Sequence, residues 1–224
     1  MLSNISQNDA LLSCGLAFVG GYADAASFVL AKTFTGHVTG NLVLAAIAIA
    51  AHGWRAALGH LSAIVTFLIG VFVSVLIVRP LKAWSSWPLL PTMMGMEVIL
   101  IVLASLALAS GMAYGTEIFV IFVSLALGLQ NGAFRRAGGI SVHTTYLTGM
   151  ITSLISTEGE KYASEVVPQP IRTHDPKVSL LFGIWTAFVL GAGVGAAMSF
   201  HFKALGILGA ALLLIPLALR AVRS

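Results

Sequence analysis

Long apolar runs without charge set the strongest limit on how this chain can fold. The run Val178–Phe200 contains no charged residue, and Leu58–Val78 contains no ionisable residue after His60. Runs of this kind reach the roughly 20 residues that an α-helix needs to cross the hydrocarbon core of a bilayer. A soluble helix of that length would show a polar stripe. The sequence therefore predicts an all-α, polytopic integral membrane protein.

Composition agrees with this prediction, because 58% of the 224 residues are hydrophobic and 9% are charged. The net charge of +4 comes from basic residues scattered beside apolar segments, a pattern that indicates membrane topology and no nucleic-acid partner. Cys14 is the single cysteine, so no intramolecular disulfide is predicted. The chain opens MLSNISQND without Lys or Arg, unlike a secretory signal, and we expect the first apolar segment to be retained.

Eight apolar segments can be drawn along one membrane domain that covers residues 1–224. They are Ala10–Ala31, Gly36–Ala51, Leu58–Val78, Thr92–Gly111, Gly115–Phe134, Ser141–Ser156, Val178–Phe200 and Leu205–Leu219. Pro80, Pro88 and Pro91 lie between the third and fourth segments, where we expect them to break the helix. The charged stretch Thr157–Lys177 is predicted to be an aqueous loop.

The first and fifth segments, with the residues that follow them, repeat the same order of features. GGYADAASF followed by FTGHVTGNLVL corresponds to LGLQNGAF followed by SVHTTYLTGMITSL, which places Asp24 opposite Asn131. FLIG in the third segment matches FVLG in the seventh. The sequence thus predicts two pseudo-symmetric repeats of four segments, over about 10–111 and 115–219. A chance match between apolar helices is the alternative.

The distribution of Lys and Arg distinguishes two topologies, because short cytoplasmic loops collect these residues. If all eight segments span, the 12 basic residues divide equally between the two sides. If the second and sixth segments enter and leave on one side, nine lie on one side and only Lys32, Arg55 and Lys203 lie on the other. The second arrangement puts both termini in the cytoplasm.

The second and sixth segments are also poorly suited to spanning. The second has a short uninterrupted apolar run, Leu42–Ala51, and the sixth contains several Thr and Ser residues. Short runs are typical of re-entrant or buried elements, and polar segments are poorly placed in lipid. We therefore expect about six spanning helices and two short segments that dip in from opposite faces. This is the inverted-repeat architecture of many channels and transporters.

Three stretches of this chain, GGYADAASF, FTGHVTGN and LGLQNGAFRRAGGISVHTTYLTGM, resemble the bacterial YoaK family, also named the DUF1275 family of membrane proteins. The resemblance covers nearly the whole chain. It implies a bacterial inner-membrane protein with about six spans, and it implies no particular biochemical activity.

Asp24 is the principal site candidate, because it lies deep within the first segment beside a glycine pair. A carboxylate at bilayer depth costs about 2.5 to 3.5 kcal/mol on insertion scales and is usually retained for function. Binding of a cation or a proton is one interpretation, and a hydrogen bond that fastens two helices is the other. We expect the donors to this carboxylate to be groups such as Thr39, Asn41 or Asn131.

Two Thr-Gly motifs complete the predicted site. His37 precedes Thr39, Gly40 and Asn41 at the predicted start of the second helix, where backbone N–H groups lack partners and the helix dipole is positive. These residues are either caps or a helix terminus directed at an anionic or polar solute. The second copy comprises His143, Thr144, Thr145, Thr148 and Gly149. We expect the two copies to face each other near the membrane midplane.

Two further polar residues lie in apolar segments. Gln130, next to Asn131, is predicted either to reach the same polar site or to form a helix–helix hydrogen bond. Glu97 lies about six residues into the fourth segment, where we expect its side chain to snorkel to the interface.

The function predicted from these residues is that of a channel or transporter for a small solute or ion, with the lipid bilayer as its other partner. A membrane-embedded binding or assembly protein, docking through Thr157–Lys177, is the alternative. An intramembrane hydrolase built from Asp24, His37 and His143 is less favoured, since the chain lacks H-E-x-x-H, G-x-S-x-G, C-x-x-C and P-loop motifs. We expect no enzyme activity, cofactor or metal, and a homo-oligomer is compatible with the sequence.

Overall fold

The structure is a computed structural model that describes residues 6–84, 89–134, 136–137, 140–141, 149, 152, 155–156 and 176–222. Its helices are α1 (Gln7–Ala31), α2 (Val38–Ala50), α3 (Trp54–Trp84), α4 (Leu89–Ala109), α5 (Gly115–Ala133), α6 (Pro176–Phe202) and α7 (Leu208–Val222). A 3₁₀ helix, Lys203–Ile207, joins α6 to α7. Two strands of two residues each, β1 (Arg136–Ala137) and β2 (Ile140–Ser141), pair antiparallel.

Five helical stretches of the described chain are long and apolar enough to cross a membrane. They are Gln7–Ala31, Trp54–Ile77, Leu89–Ala109, Gly115–Ala133 and Val178–Val222. α2 is apolar but shorter than these, in agreement with the short second segment of the sequence prediction. The prediction of an α-helical membrane protein is therefore supported by helix length and composition.

The prolines between the third and fourth segments do not break the helices as predicted. α3 continues through Pro80 to Trp84, and Pro91 lies in the first turn of α4. Pro is tolerated in a first turn because the N–H group that it lacks has no intrahelical partner there. Membrane helices also accommodate internal Pro. Pro88 lies outside the described residues.

Contacts between helix ends define two opposite faces of the bundle. At the first, which we call the terminal face, Asn8 at the start of α1 accepts a 2.7 Å hydrogen bond from Arg220 at the end of α7. At the second, the loop face, Arg55 at the start of α3 lies 2.6 Å from Glu117 at the start of α5. Lys32, just after α1, lines the same cleft as these two residues. α1 therefore ends at the face where α3 and α5 begin.

α6 and α7 run in opposite directions along α1. Gly183 lies near Cys14 and Gly195 lies near Tyr22, so the chains of α1 and α6 are parallel. The Tyr22 hydroxyl donates a 2.6 Å hydrogen bond to the carbonyl of Gly206, immediately before α7. α7 then returns to the terminal face. The long apolar stretch at the end of the chain thus contains two passes that the 3₁₀ helix separates.

Two helix pairs, α1 with α6 and α3 with α5, pack with their backbones in close approach at glycines. A Cβ atom added at Gly21 would collide with the carbonyl oxygen of Phe188 on α6. A Cβ atom added at Gly128 would collide with the carbonyl oxygen of Phe67 on α3. Small residues permit this separation, which is typical of helix packing in membranes.

The Gly21–Phe188 contact in one helix pair and the Gly128–Phe67 contact in the other join equivalent positions when the two predicted repeats are aligned. Gly21 and Gly128 are aligned residues 107 positions apart, and Phe67 and Phe188 begin the matching FLIG and FVLG strings. The reciprocal contacts correspond as well, because a Cβ atom added at Gly191 or Gly70 would meet the backbone at positions 18 and 125 respectively. Equivalent positions of the two predicted repeats therefore make equivalent close contacts.

The hydrophobic core is built around α1 and α5. Leu16, Phe119 and Leu127 are among its fully buried side chains. The outer surfaces of α2 and α3 expose large apolar side chains, including Val43 and Phe72. Because lipid tails are as apolar as these side chains, such a surface is expected for a protein that is solvated by a bilayer.

Candidate functional site

A short loop that folds back along α1 forms the framework of the site. α1 ends because Lys32 adopts a left-handed conformation with φ 57°, and its N–H donates to the carbonyl of Phe28 at 3.0 Å. This is an αL helix cap, which reverses the chain direction. Residues 32–37, which we call the return loop, then run back beside the last turns of α1 before α2 begins at Val38.

Asp24 holds the return loop through both of its carboxylate oxygens. Oδ1 accepts hydrogen bonds from the backbone N–H groups of Thr35 and Gly36, both at 2.7 Å. Oδ2 pairs with Nδ1 of His37 in a short contact. The Asp24 side chain is 3% exposed. Its charge is thus balanced inside the protein by two peptide dipoles and an imidazole.

His37 is the more accessible member of this pair. It precedes the first residue of α2, and its side chain is 34% exposed. Its ring lies 5.5 Å from that of Phe34 and 5.8 Å from that of Phe188, measured between centroids. Since Nδ1 is paired with Asp24, Nε2 points away from the carboxylate and has no hydrogen-bond partner in the described part of the chain.

The hydrogen bond and the charge of Asp24 act together on the acidity of His37. The hydrogen bond raises the pKa of His37 above its ordinary value, burial lowers the pKa, and the negative charge of Asp24 raises it. The net effect is a raised pKa, so Asp24 favours the protonated imidazole.

Asn41 locks the return loop from the first turn of α2. Its Nδ2 donates to the carbonyl of Phe34 at 2.6 Å, and its Oδ1 accepts from the N–H of Phe34 at 3.1 Å. Thr35 adds a side-chain bond of 3.2 Å to the hydroxyl of Ser27 on α1. The two Asn41 bonds supply partners for backbone groups of Phe34 in a segment without regular secondary structure.

The structure therefore brings together Asp24, His37 and Asn41 but changes their roles. The predicted donors to Asp24 are wrong: Asn41 bonds to Phe34, and Thr39 is exposed. Gly40 is half-buried against the Phe34 ring. None of the hydrogen bonds to Asp24 within the described part of the chain comes from Gly40. The donors are the return-loop N–H groups and His37, because the loop doubles back before α2 starts.

The residues predicted on α5 are buried between helices. Gln130 is 3% exposed and its Nε2 donates to the carbonyl of Leu16 on α1 at 3.1 Å, which is the helix–helix hydrogen bond that was one of its two interpretations. Asn131 is 8% exposed and its Nδ2 donates to the carbonyl of Leu127 at 2.9 Å. Asn131 is thus not a donor to Asp24.

Most of the second Thr-Gly motif lies outside the described residues. These positions are His143, Thr144, Thr145 and Thr148. Gly149 is described, and it is helical and partly buried. The predicted convergence of the two motifs stays a prediction.

Glu97 does not snorkel, and this prediction is wrong. It lies within α4 and is 1% exposed, so its side chain is enclosed by neighbouring helices. Hydropathy alone places the residue near a segment end, but the helix begins at Leu89, which sets Glu97 two turns inside it.

Thr35 and Phe188 belong to the site and were not singled out in the sequence. Thr35 contributes its backbone N–H, a group that every non-Pro residue carries and that leaves no sequence signal. Phe188 is an apolar residue in an apolar helix, and only the packing of α6 on α1 brings its ring to His37. Among the described residues, no group of three or more His, Cys, Asp or Glu side chains is arranged to hold a metal ion.

The long apolar helices define the class: a multi-pass α-helical membrane protein. The chain belongs to the family described as "Protein of unknown function (DUF1275)", whose model matches residues 12–219. This confirms the family resemblance seen in the sequence.

A curated relative agrees with this assignment. The chain is 31% identical over 147 residues to the UPF0700 transmembrane protein YoaK of Bacillus subtilis (strain 168). The match covers 64% of this chain and 62% of that protein, so it spans less than two thirds of the relative's length. No solved structure matches the chain.

Proposed function

We propose that this protein is a channel or transporter for a small solute or ion, and that the Asp24–His37 pair is its protonatable polar site. The observation that carries the proposal is a buried carboxylate paired to a half-exposed imidazole whose second nitrogen has no partner among the described residues. Ionisable groups within a membrane domain are costly and mark ion, proton or solute pathways.

The chemistry of the pair suits reversible binding. When His37 is protonated, the pair is neutral and Nε2 donates a hydrogen bond to a solute. When His37 is neutral, the pair carries one negative charge and Nε2 accepts. Because histidine titrates near neutral pH, solute affinity would follow the proton gradient across the membrane.

The location of the pair also supports a transport role. His37 faces Phe188 of α6, and α1 and α6 belong to different predicted repeats. Substrate sites of transporters that are built from inverted repeats lie at the repeat interface. The corresponding glycine contacts of α1–α6 and α3–α5 are the expected signature of such a duplication.

We further infer a six-pass topology in which α2 is re-entrant. α1 ends and α3 begins at the loop face, where Thr33 lies 3.2 Å from His60, so the intervening α2 returns to the side from which it enters. Lys32 and Arg55 line this face. Lys203 follows α6, and the next residue, Ala204, accepts a hydrogen bond from Ser105 near the end of α4. The sequence prediction assigns the other basic residues to the opposite side, and we therefore infer that the terminal face is cytoplasmic in a bacterial inner membrane.

Flux measurements on reconstituted liposomes test the proposal. A panel of small anions, cations and metabolites would be loaded with and without a pH gradient, and wild type would be compared with Asp24→Asn and His37→Gln. We expect at least one solute to be moved by wild type, and its pH dependence to be lost in both variants. Asp9→Asn, on the same helix in its first turn, is the matched control and should retain transport.

The same experiment tests a second candidate function, that of a membrane-embedded assembly protein. If the wild-type protein moves none of these solutes, and Asp24→Asn instead alters co-purification of a partner, the protein is a membrane-embedded assembly factor. If transport occurs with unchanged pH dependence in both variants, the pair is a structural clamp for the return loop.

A further inference from the structure

Glu97 is a buried carboxyl group that the proposed transport site does not use. It is 1% exposed in the interior of α4, and Oε1 has no hydrogen-bond partner in the described part of the chain. Enclosing an ionised carboxylate without partners costs far more free energy than enclosing the neutral acid. A carboxylic acid retained for structure would be expected to donate its proton to a neighbouring acceptor.

No charged group of the described residues lies at the level of Glu97. α4 packs against α5, α7, the 3₁₀ helix and α3. Their described charged or titratable side chains lie toward the helix ends: Glu117 on α5, Arg220 on α7, Lys203 on the 3₁₀ helix, and Arg55 and His60 on α3. Glu117 pairs with Arg55, and Arg220 bonds to Asn8.

A second unpartnered polar group lies at the same level on α5. Gly115 of α5 packs against Ala107 near the end of α4, which fixes the antiparallel register of the two helices. Glu97 lies ten residues before Ala107 on α4, and position 125 lies ten residues after Gly115 on α5. Glu97 is therefore level with the residue next to Ser124. Ser124 is fully buried, and its hydroxyl has no partner among the described residues.

The fold itself does not require a carboxyl group at this position. α7 is the counterpart of α4 in the second predicted repeat, and at an offset of 117 its buried residues Ala210, Ala211 and Leu214 align with Met93, Met94 and Glu97. Leu214 is fully buried. An apolar side chain thus serves the same packing role in the other half, and Glu97 is retained at an energetic cost.

We propose that Glu97 is a second proton-binding site, separate from the Asp24–His37 pair. Glu97 carries a proton while α4, α5 and α7 enclose it, and it releases the proton to water when this interface opens. While the interface is closed the Ser124 hydroxyl, at the same level of α5, makes no hydrogen bond to Glu97, and it relays the proton only when the interface opens. The inference does not rest on the transport proposal, because proton exchange is measurable without flux.

Labelling with dicyclohexylcarbodiimide, an apolar reagent for protonated carboxyl groups, tests the site. The acid proton moves to a carbodiimide nitrogen and a carboxyl oxygen bonds to the central carbon, which gives an O-acylisourea. The acyl carbon then migrates from that oxygen to the neighbouring nitrogen, and the resulting N-acylurea is the stable adduct. We expect mass spectrometry of the full-length protein's peptides to locate the adduct at Glu97. Labelling should fall about tenfold for each pH unit above the midpoint, as the titration of one carboxyl group requires.

Three variants and infrared spectroscopy complete the test of Glu97. Glu97→Gln should abolish the adduct, Asp24→Asn should leave it unchanged, and Glu97→Leu should fold with at least the wild-type melting temperature. Infrared spectroscopy should show a protonated-carboxyl band that is absent from Glu97→Gln, shifts in D2O and disappears at high pH. The proposal is overturned if this band is absent, or if the band and the labelling do not change with pH.

Discussion

Both carboxylate oxygens of Asp24 have hydrogen-bond partners within the protein, and this decides what the carboxylate contributes. Two backbone N–H groups bind Oδ1 and His37 binds Oδ2, so three of the roughly four acceptor positions are used. Asp24 therefore anchors the return loop and orients His37. The group exposed at the site is the imidazole.

At the residue scale, the first prediction concerns the titration of His37. Because the hydrogen bond and charge of Asp24 raise the pKa of His37, Asp24→Asn should lower that pKa and move its midpoint to lower pH. NMR of ¹⁵N-labelled histidine in detergent micelles measures the midpoint. Asp9→Asn should leave the midpoint of wild type in place, and an equal midpoint in Asp24→Asn would contradict the role assigned to the pair.

The raised pKa of His37 also predicts how the stability of the folded protein depends on pH. A raised pKa in the folded state adds stability that is fully present below the unfolded value of about 6.5 and is lost as pH rises through the folded pKa. The thermal stability of wild type in detergent should therefore decrease across that window. His37→Gln should remove this part of the slope, and an unchanged slope would show that other groups cause it.

Asn41 provides a separate prediction about the return loop. Asn41→Ala would leave the N–H and the C=O of Phe34 without their partners in a largely buried loop. The cost should be about 1 to 3 kcal/mol for each group left unsatisfied, seen as a lower melting temperature. Asn8→Ala, which removes an exposed bond to Arg220, is the control and should change stability by less than about 0.5 kcal/mol.

At the element scale, most helix ends lie within a few residues of the segment ends predicted from hydropathy, but α3 begins four residues before its predicted segment and ends six residues after it. α1 ends at Ala31 and α5 begins at Gly115, as predicted from the sequence. The return loop, the strand pair and the 3₁₀ helix between α6 and α7 were not predicted. Apolar length can be read directly from residue types, whereas the return loop and the strand pair are held by bonds to backbone groups, which have no residue signature. The 3₁₀ helix is contacted by a residue far away in sequence, Tyr22.

Glycine substitutions test the equivalence of the two close helix pairs. Gly21→Ala and Gly128→Ala should each destabilise the protein, because the added Cβ atom would meet a backbone carbonyl that cannot move aside. Gly95→Ala, on α4 with nothing within 4 Å, should instead stabilise by about 0.5 to 1 kcal/mol through helix propensity. Melting temperatures in detergent measure both effects, and an intact Gly128→Ala beside a disrupted Gly21→Ala would argue against equivalent interfaces.

At the scale of the whole molecule, the arrangement of helix directions gives a topology prediction. α1 starts and α7 ends at the terminal face, so both termini should lie on one side of the membrane, and the charge distribution places that side in the cytoplasm. Reporters fused before Met1 and after Ser224 should both be active only in the cytoplasm. A cysteine introduced at Lys32 should react with an impermeant reagent from outside, and a periplasmic signal from either terminal fusion would contradict the six-pass model.

The sequence by itself determined the membrane class, the family and the approximate helix extents, and it singled out Asp24 and His37 as site candidates. These properties follow from apolar run length and from the cost of placing ionisable groups in a membrane, both of which are written locally in the chain. The tertiary structure alone decided that the return loop supplies the donors to Asp24, that Phe188 faces His37, and that Glu97 is enclosed. Backbone N–H groups have no residue signature, and burial depends on which helices pack together, so neither could be derived from composition or spacing.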